Sequence, residues 1–167
     1  MNTQNISLTD RPVDRWFSAY SQDHQNALNQ RLHVFCVPAI VWSLMAMLYA
    51  VPTPETLAAV LPPFGMLAAV LAVLSVMFWI WMSLPLGLGI AVLTVAGLWL
   101  NALILEAMGS MALLAIGVAV FVIAWIGQFI GHHIEGRRPS FFTDLVYLMI
   151  GPPWVLAKAY RSLGIRW

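Results

Sequence analysis

Charge is almost missing from the middle of this chain. Only 9% of its residues are charged and 61% are hydrophobic, whereas an ordinary soluble domain carries about 25% charged residues. Between Leu32 and Ile134 the only carboxylates are Glu55 and Glu106, and there is no Lys or Arg at all. A soluble protein would need a second, polar layer around so long an apolar stretch, and a bilayer removes that need. Cysteine is scarce too. Cys36 stands alone, so an intrachain disulfide is excluded, and its apolar surroundings mark it as a small packing residue. The net charge of +1 and the lack of a basic stripe interleaved with aromatics exclude nucleic acid as an expected partner. The first thirty residues are polar with mixed charge, unlike a cleavable signal peptide, which needs an early apolar core.

What is present reads as an all-α, polytopic membrane bundle forming a single domain over 1–167. A hydrocarbon core of about 30 Å needs roughly 20 apolar residues per helix. Four spans are expected, at about 34–51, 64–82, 86–105 and 111–131, after a polar segment over 1–33. Their punctuation is Pro52-Thr-Pro54-Glu55-Thr56, Pro62-Pro63, Ser83-Leu84-Pro85 and Glu106-Ala-Met-Gly-Ser110; proline pairs and Gly/Ser turns are the usual breakers. All eight Lys and Arg residues lie outside the spans. The positive-inside rule then puts both termini in the cytoplasm, which requires an even number of crossings. The apolar stretch 141–157 is flanked by basic residues on both sides and interrupted at Gly151-Pro152-Pro153, so it is expected as a re-entrant or interfacial helical hairpin on the cytoplasmic face, with a fifth span as the alternative. The tryptophans read as an interfacial belt.

The four histidines, His24, His33, His132 and His133, fall into two groups. Under four spans both groups sit at the cytoplasmic ends of the first and last span, where one metal site can draw on all of them. Asn29 and His33 are i,i+4, as are Gln128 and His132, so each imidazole has a carboxamide one turn before it on the same helical face. A metal-bound imidazole usually hydrogen-bonds a group that fixes its tautomer, and Asn29 and Gln128 are the candidates. Glu135, at i+3 from His132, is a candidate ligand or hydrogen-bond acceptor. His24 and His33 are nine apart and would face opposite ways on one straight helix; either a break lies between them or only one is a ligand. The bland alternative for each histidine is a polar tip in the headgroup region. Arg137 and Arg138 read as headgroup anchors or as binders of a substrate carboxylate.

The stretch Tyr20-Ser-Gln-Asp-His24-Gln-Asn26-Ala-Leu-Asn29-Gln-Arg-Leu-His33 and the stretch Gln128-Phe-Ile-Gly-His132, followed by Glu135-Gly-Arg137-Arg138-Pro-Ser140, Asp144-Leu145 and Gly151-Pro152, resemble the two motifs of the membrane 2-hydroxy fatty acid dioxygenase family. That family includes a fungal enzyme of phytosphingosine α-oxidation. The resemblance covers essentially the whole chain. It implies an Fe(II)-dependent dioxygenase of the multi-pass membrane type, in a bacterial inner membrane or the endoplasmic reticulum. Such an enzyme takes O2 and a long-chain 2-hydroxy fatty acid and releases the acid one carbon shorter. Carried over, His24, His33 and His132 match the motif histidines, and Asn29 and Glu135 their polar companions. His133 matches no histidine of the fungal pattern, Cys36 stands where many members have Gly, and His132 and Glu135 are one residue closer than in the fungal enzyme. The competing reading is a non-enzymatic small membrane scaffold or transporter subunit with interfacial histidines. Transporters place polar groups at mid-membrane, and these spans offer few, Ser75, Thr94 and Asn101 among them. The sequence leaves the oligomeric state open, a homo-oligomer included.

Overall fold

A computed structural model describes residues 11–22, 24–136 and 141–167, with the backbone alone for 141–146. The described residues form six α-helices and no β-strand: α1 (Pro12–Gln22), α2 (Ala27–Tyr49), α3 (Met66–Met82), α4 (Leu84–Met108), α5 (Ser110–Glu135) and α6 (Phe141–Ser162). Three of them, α2, α4 and α5, are long and apolar enough to cross a membrane, and α3 is a shorter apolar helix. At 1.5 Å per residue, the 26 residues of α5 extend about 39 Å.

Local chemistry explains the boundaries. Asn26 caps α2, its side chain accepting from the N–H groups of Leu28 (2.8 Å) and Asn29 (3.3 Å). The cap draws the start of the helix back to Ala27, ahead of the apolar run that begins at 34. The α3–α4 join is a single extended residue, Ser83 (φ −164°, ψ 116°), followed by Pro85 in the first turn of α4, where a missing N–H costs nothing. Gly109 (φ 82°) separates α4 from α5, and Gly136 (φ 74°) caps α5 in the left-handed conformation. The other helix bounds fall within a few residues of the expected spans.

Segment 141–157 departs from expectation. It lies in one continuous helix with Pro152 and Pro153 inside it, not in a hairpin broken there. Packing overrides propensity at this point: Pro153 is fully buried, and Ile150 and Trp154 on either side join the core.

Helices α2 and α5 run antiparallel. A Cβ on Gly131 would collide with the Asn29 side chain near the start of α2, and one on Gly117 would lie 3.1 Å from Met47 near its end. Cys36 fills the space beside Gly127, where an added Cβ would lie 2.5 Å from its Sγ. Small residues that let backbones approach are the usual interface of membrane helices. The core divides into two clusters. One joins Val13, Phe17 and Tyr20 of α1 to Trp79, Leu86, Ile90, Ile150, Trp154 and Ala157. The other gathers Ala46, Ala50 and Leu113 at the opposite ends of α2 and α5. The first cluster walls the histidine end.

Candidate metal centre

The chain breaks between α1 and α2, and His24 sits in the break. Its ring turns back toward α2, so Nε2 lies 2.9 Å from Nε2 of His33. The nine-residue spacing is thereby reconciled: the two histidines belong to different segments. His132, near the end of α5, brings its ring to 5.6 Å from His24 and 5.2 Å from His33, centroid to centroid. One ligand-type nitrogen from each of the three lies within 4.8 Å of the others. All three are buried, His24 and His33 almost completely.

For His24 and His33 a backbone carbonyl holds the tautomer. His24 Nδ1 donates to the Tyr20 carbonyl (2.6 Å), and His33 Nδ1 donates to the Asn29 carbonyl (3.0 Å). The carbonyl of residue i−4 lies directly beneath a helical side chain and reaches the ring before any amide does. The Asn29 side chain donates instead to Glu135 (2.9 Å). Gln128 is buried and lines the same cavity as the histidines.

Glu135 stands outside the three-histidine cluster and joins the two motifs from behind. Its carboxylate accepts from the backbone N–H of Gln25 (2.9 Å) and Asn26 (2.9 Å) as well as from Asn29. A carboxylate at these N–H groups also complements the positive end of α2. His133 is exposed and takes no part in the cluster. Arg137 and Arg138 lie outside the described residues.

Aromatic side chains that sequence reasoning missed enclose the site. Tyr20 stacks on His24 at 4.1 Å and 11°. Trp154 lies 4.9 Å from Tyr20 and donates to Ser21 Oγ (3.0 Å). On Trp154 sits the Lys158 ammonium, 3.7 Å from the ring centroid. Lys158 also donates to Gln30 (2.8 Å), which in turn donates to the His24 carbonyl (2.7 Å). Only the i−4 spacing of Tyr20 and His24 was available as a signal, since Trp154 and Lys158 arrive from far along the chain. Burial and the neighbouring Arg161 push the Lys158 ammonium below its ordinary range. Between the histidines and Val37, Ile40, Trp125, Gln128, Tyr147 and Leu148 lies a cavity of about 30 Å³. It admits an ion or a very small ligand, and no acyl chain.

A profile of the 2-hydroxy-palmitic acid dioxygenase Mpo1-like family matches residues 11–163. The 2-hydroxy-palmitic acid dioxygenase MPO1 of Saccharomyces cerevisiae is 31% identical over 147 residues, covering 87% of this chain and 78% of the yeast protein. No solved structure matches. With both histidine segments inside the matched region and their rings gathered in one buried cluster, the chain belongs to the Mpo1-like 2-hydroxy-palmitic acid dioxygenase family.

Proposed function

We propose that this protein is a multi-pass membrane dioxygenase that uses Fe(II) to convert a long-chain 2-hydroxy fatty acid to the acid one carbon shorter. The contact between His24 and His33 carries the metal. Each ring donates Nδ1–H to a carbonyl, so in neutral imidazoles both Nε2 atoms present lone pairs, and these face each other at 2.9 Å. Such an arrangement repels unless a cation shares the two nitrogens. The alternative, a proton on one ring, buries a charge beside two further histidine rings, at a heavy desolvation cost. Imidazole ligands suit iron, copper, nickel and zinc alike; the kinship with a dioxygenase favours iron.

Bound Fe(II) would supply Lewis acidity toward a 2-hydroxy carboxylate and reducing equivalents toward O2. The overall change balances: a 2-hydroxy acid and O2 give the shorter acid, carbon dioxide and water. The protein's own part is positional. The Tyr20 and Asn29 carbonyls aim both Nε2 atoms into the cavity, the Tyr20 ring fixes the plane of His24, and Val37, Ile40 and Leu148 keep bulk water out. The acyl tail, too large for the cavity, extends out of it among the apolar helices.

Four crossings are part of the same reading. The start of α2 and the end of α5 lie together at the histidines, so the chain between them returns to the side it left. With α2, α4 and α5 long enough to span, α3 completes an even number. The rule of positive residues inside then puts both termini in the cytoplasm, of a bacterial inner membrane or an endoplasmic reticulum.

The test is metal analysis and product mass spectrometry on purified protein. About one iron per chain is expected, lost in His33→Ala and His132→Ala and retained in His133→Ala, because a bound metal commonly depends on each of its ligands. Iron-loaded protein should convert 2-hydroxypalmitate to the odd-chain acid and leave palmitate, which lacks the hydroxyl, unchanged. Full iron in both variants defeats the metal assignment. Folded, iron-loaded protein that yields no odd-chain acid from any 2-hydroxy acid defeats the enzyme reading in favour of a scaffold.

A further inference from the structure

Two buried hydrogen-bond donors in the histidine cavity have no acceptor among the described residues. Gln128 and Trp125 both line it, and neither Gln128 Nε2 nor Trp125 Nε1 has a hydrogen-bond partner among those residues. Gln128 is 5% exposed. The two residues continue one face of α5: Trp125, Gln128 and His132 are spaced i, i+3 and i+7, so they form a single stripe running inward from the metal cluster. An unmade hydrogen bond on a buried donor is costly, more so away from water in a bilayer. One such donor is unremarkable. A pair of them, adjacent on one stripe and beside three candidate ligands, marks a place where a bound molecule brings the acceptors.

Val37 and Ile40 of α2 and Leu148 of α6, which also line the cavity, are apolar and offer no side-chain acceptor. An indole offers only a donor, and the carboxamide nitrogen is a donor as well. Two donors beside a cation-binding cluster select an anionic oxygen pair over a neutral group that carries its own N–H. Charge-assisted bonds to such oxygens are about twice as strong as neutral ones.

We propose that Trp125 and Gln128 form a carboxylate subsite, in which their two N–H groups receive the carboxylate of the 2-hydroxy acid while its hydroxyl stays near the histidines. The subsite rests on the dioxygenase reading given above. It assigns the carboxylate to α5 and not to Arg137 or Arg138.

The experiment measures binding without turnover. Iron-loaded protein in detergent, free of O2, is titrated calorimetrically with 2-hydroxyoctanoate and with its neutral analogue 2-hydroxyoctanamide. Iron content is measured on every sample. Wild type should prefer the carboxylate. Gln128→Met should weaken carboxylate binding about tenfold with iron retained, and Trp125→Phe, which keeps the ring and loses only the N–H, should weaken it by several-fold to about tenfold. Gln128→Glu should reverse the preference, because its carboxylate repels the acid and accepts from the amide. That reversal is a readout that a merely structural role would not give. An unchanged preference in Gln128→Met and Trp125→Phe, both iron-loaded, overturns the subsite and leaves the dioxygenase reading standing. So does a preference lost in Arg137→Ala and kept in the α5 variants. A wild type that holds no iron overturns both.

Discussion

Glu135 joins the two histidine segments without entering the cluster, and its replacement separates support from coordination. In Glu135→Gln one acceptor becomes a donor facing the N–H groups of Gln25 and Asn26 and the amide of Asn29. The cost expected is about 1 kcal/mol, at the low end for a charge-assisted bond because the residue is partly exposed. Iron affinity should fall roughly tenfold without being abolished, as it does when groups behind the ligands are removed; thermal unfolding and iron titration of the same sample check both. A loss of iron as complete as in His33→Ala would make Glu135 a ligand after all. At this scale the histidines were legible, since counting spans places both groups at one end of the bundle. The groups that orient them were not. A residue's side chain is written in the sequence, whereas the carbonyl beneath a helical side chain is common to every residue and has no signature.

Glycines in two settings show what the helices require of each other. Gly131→Ala puts a Cβ against the Asn29 side chain, on the α2–α5 face that also holds His33. We expect about 1–3 kcal/mol of destabilisation from overpacking, together with weaker iron binding. Gly109→Ala meets nothing within 4 Å, yet sits at φ 82°; it should cost about 1 kcal/mol through backbone strain and leave iron affinity alone. Thermal melts in detergent with paired iron titrations distinguish the two, and equal loss of iron in both would remove the packing argument. The punctuation by Ser83, Pro85 and Gly109 could be read from composition because turns use few residue types. The double proline of α6 misled, because its tolerance depends on Pro153 being enclosed by distant neighbours, and no local pattern reports them.

At the scale of the molecule, the proposed crossings predict that single cysteines introduced at positions 54 and 108, in a Cys36→Ala background, react with an impermeant thiol reagent only from the face opposite the termini. Labelling of position 54 from the cytoplasmic side alone would refute that arrangement. The placement of His24 has a further effect on how the protein behaves when the metal is withdrawn. α1 packs on α6, and the joint that follows it delivers one of three ligands, so binding of the ion and docking of this arm are linked equilibria. A ligand that binds only the closed arrangement stabilises it by mass action, and segments with few tertiary ties are the first to open. Chelation should therefore raise amide hydrogen exchange over residues 11–26 selectively, while the interlocked middles of α2 and α5 stay protected. Uniform exchange with and without chelator would show the arm closed on its own. If the arm behaves as expected, iron is the clasp that keeps the amino-terminal helix shut over its own binding site.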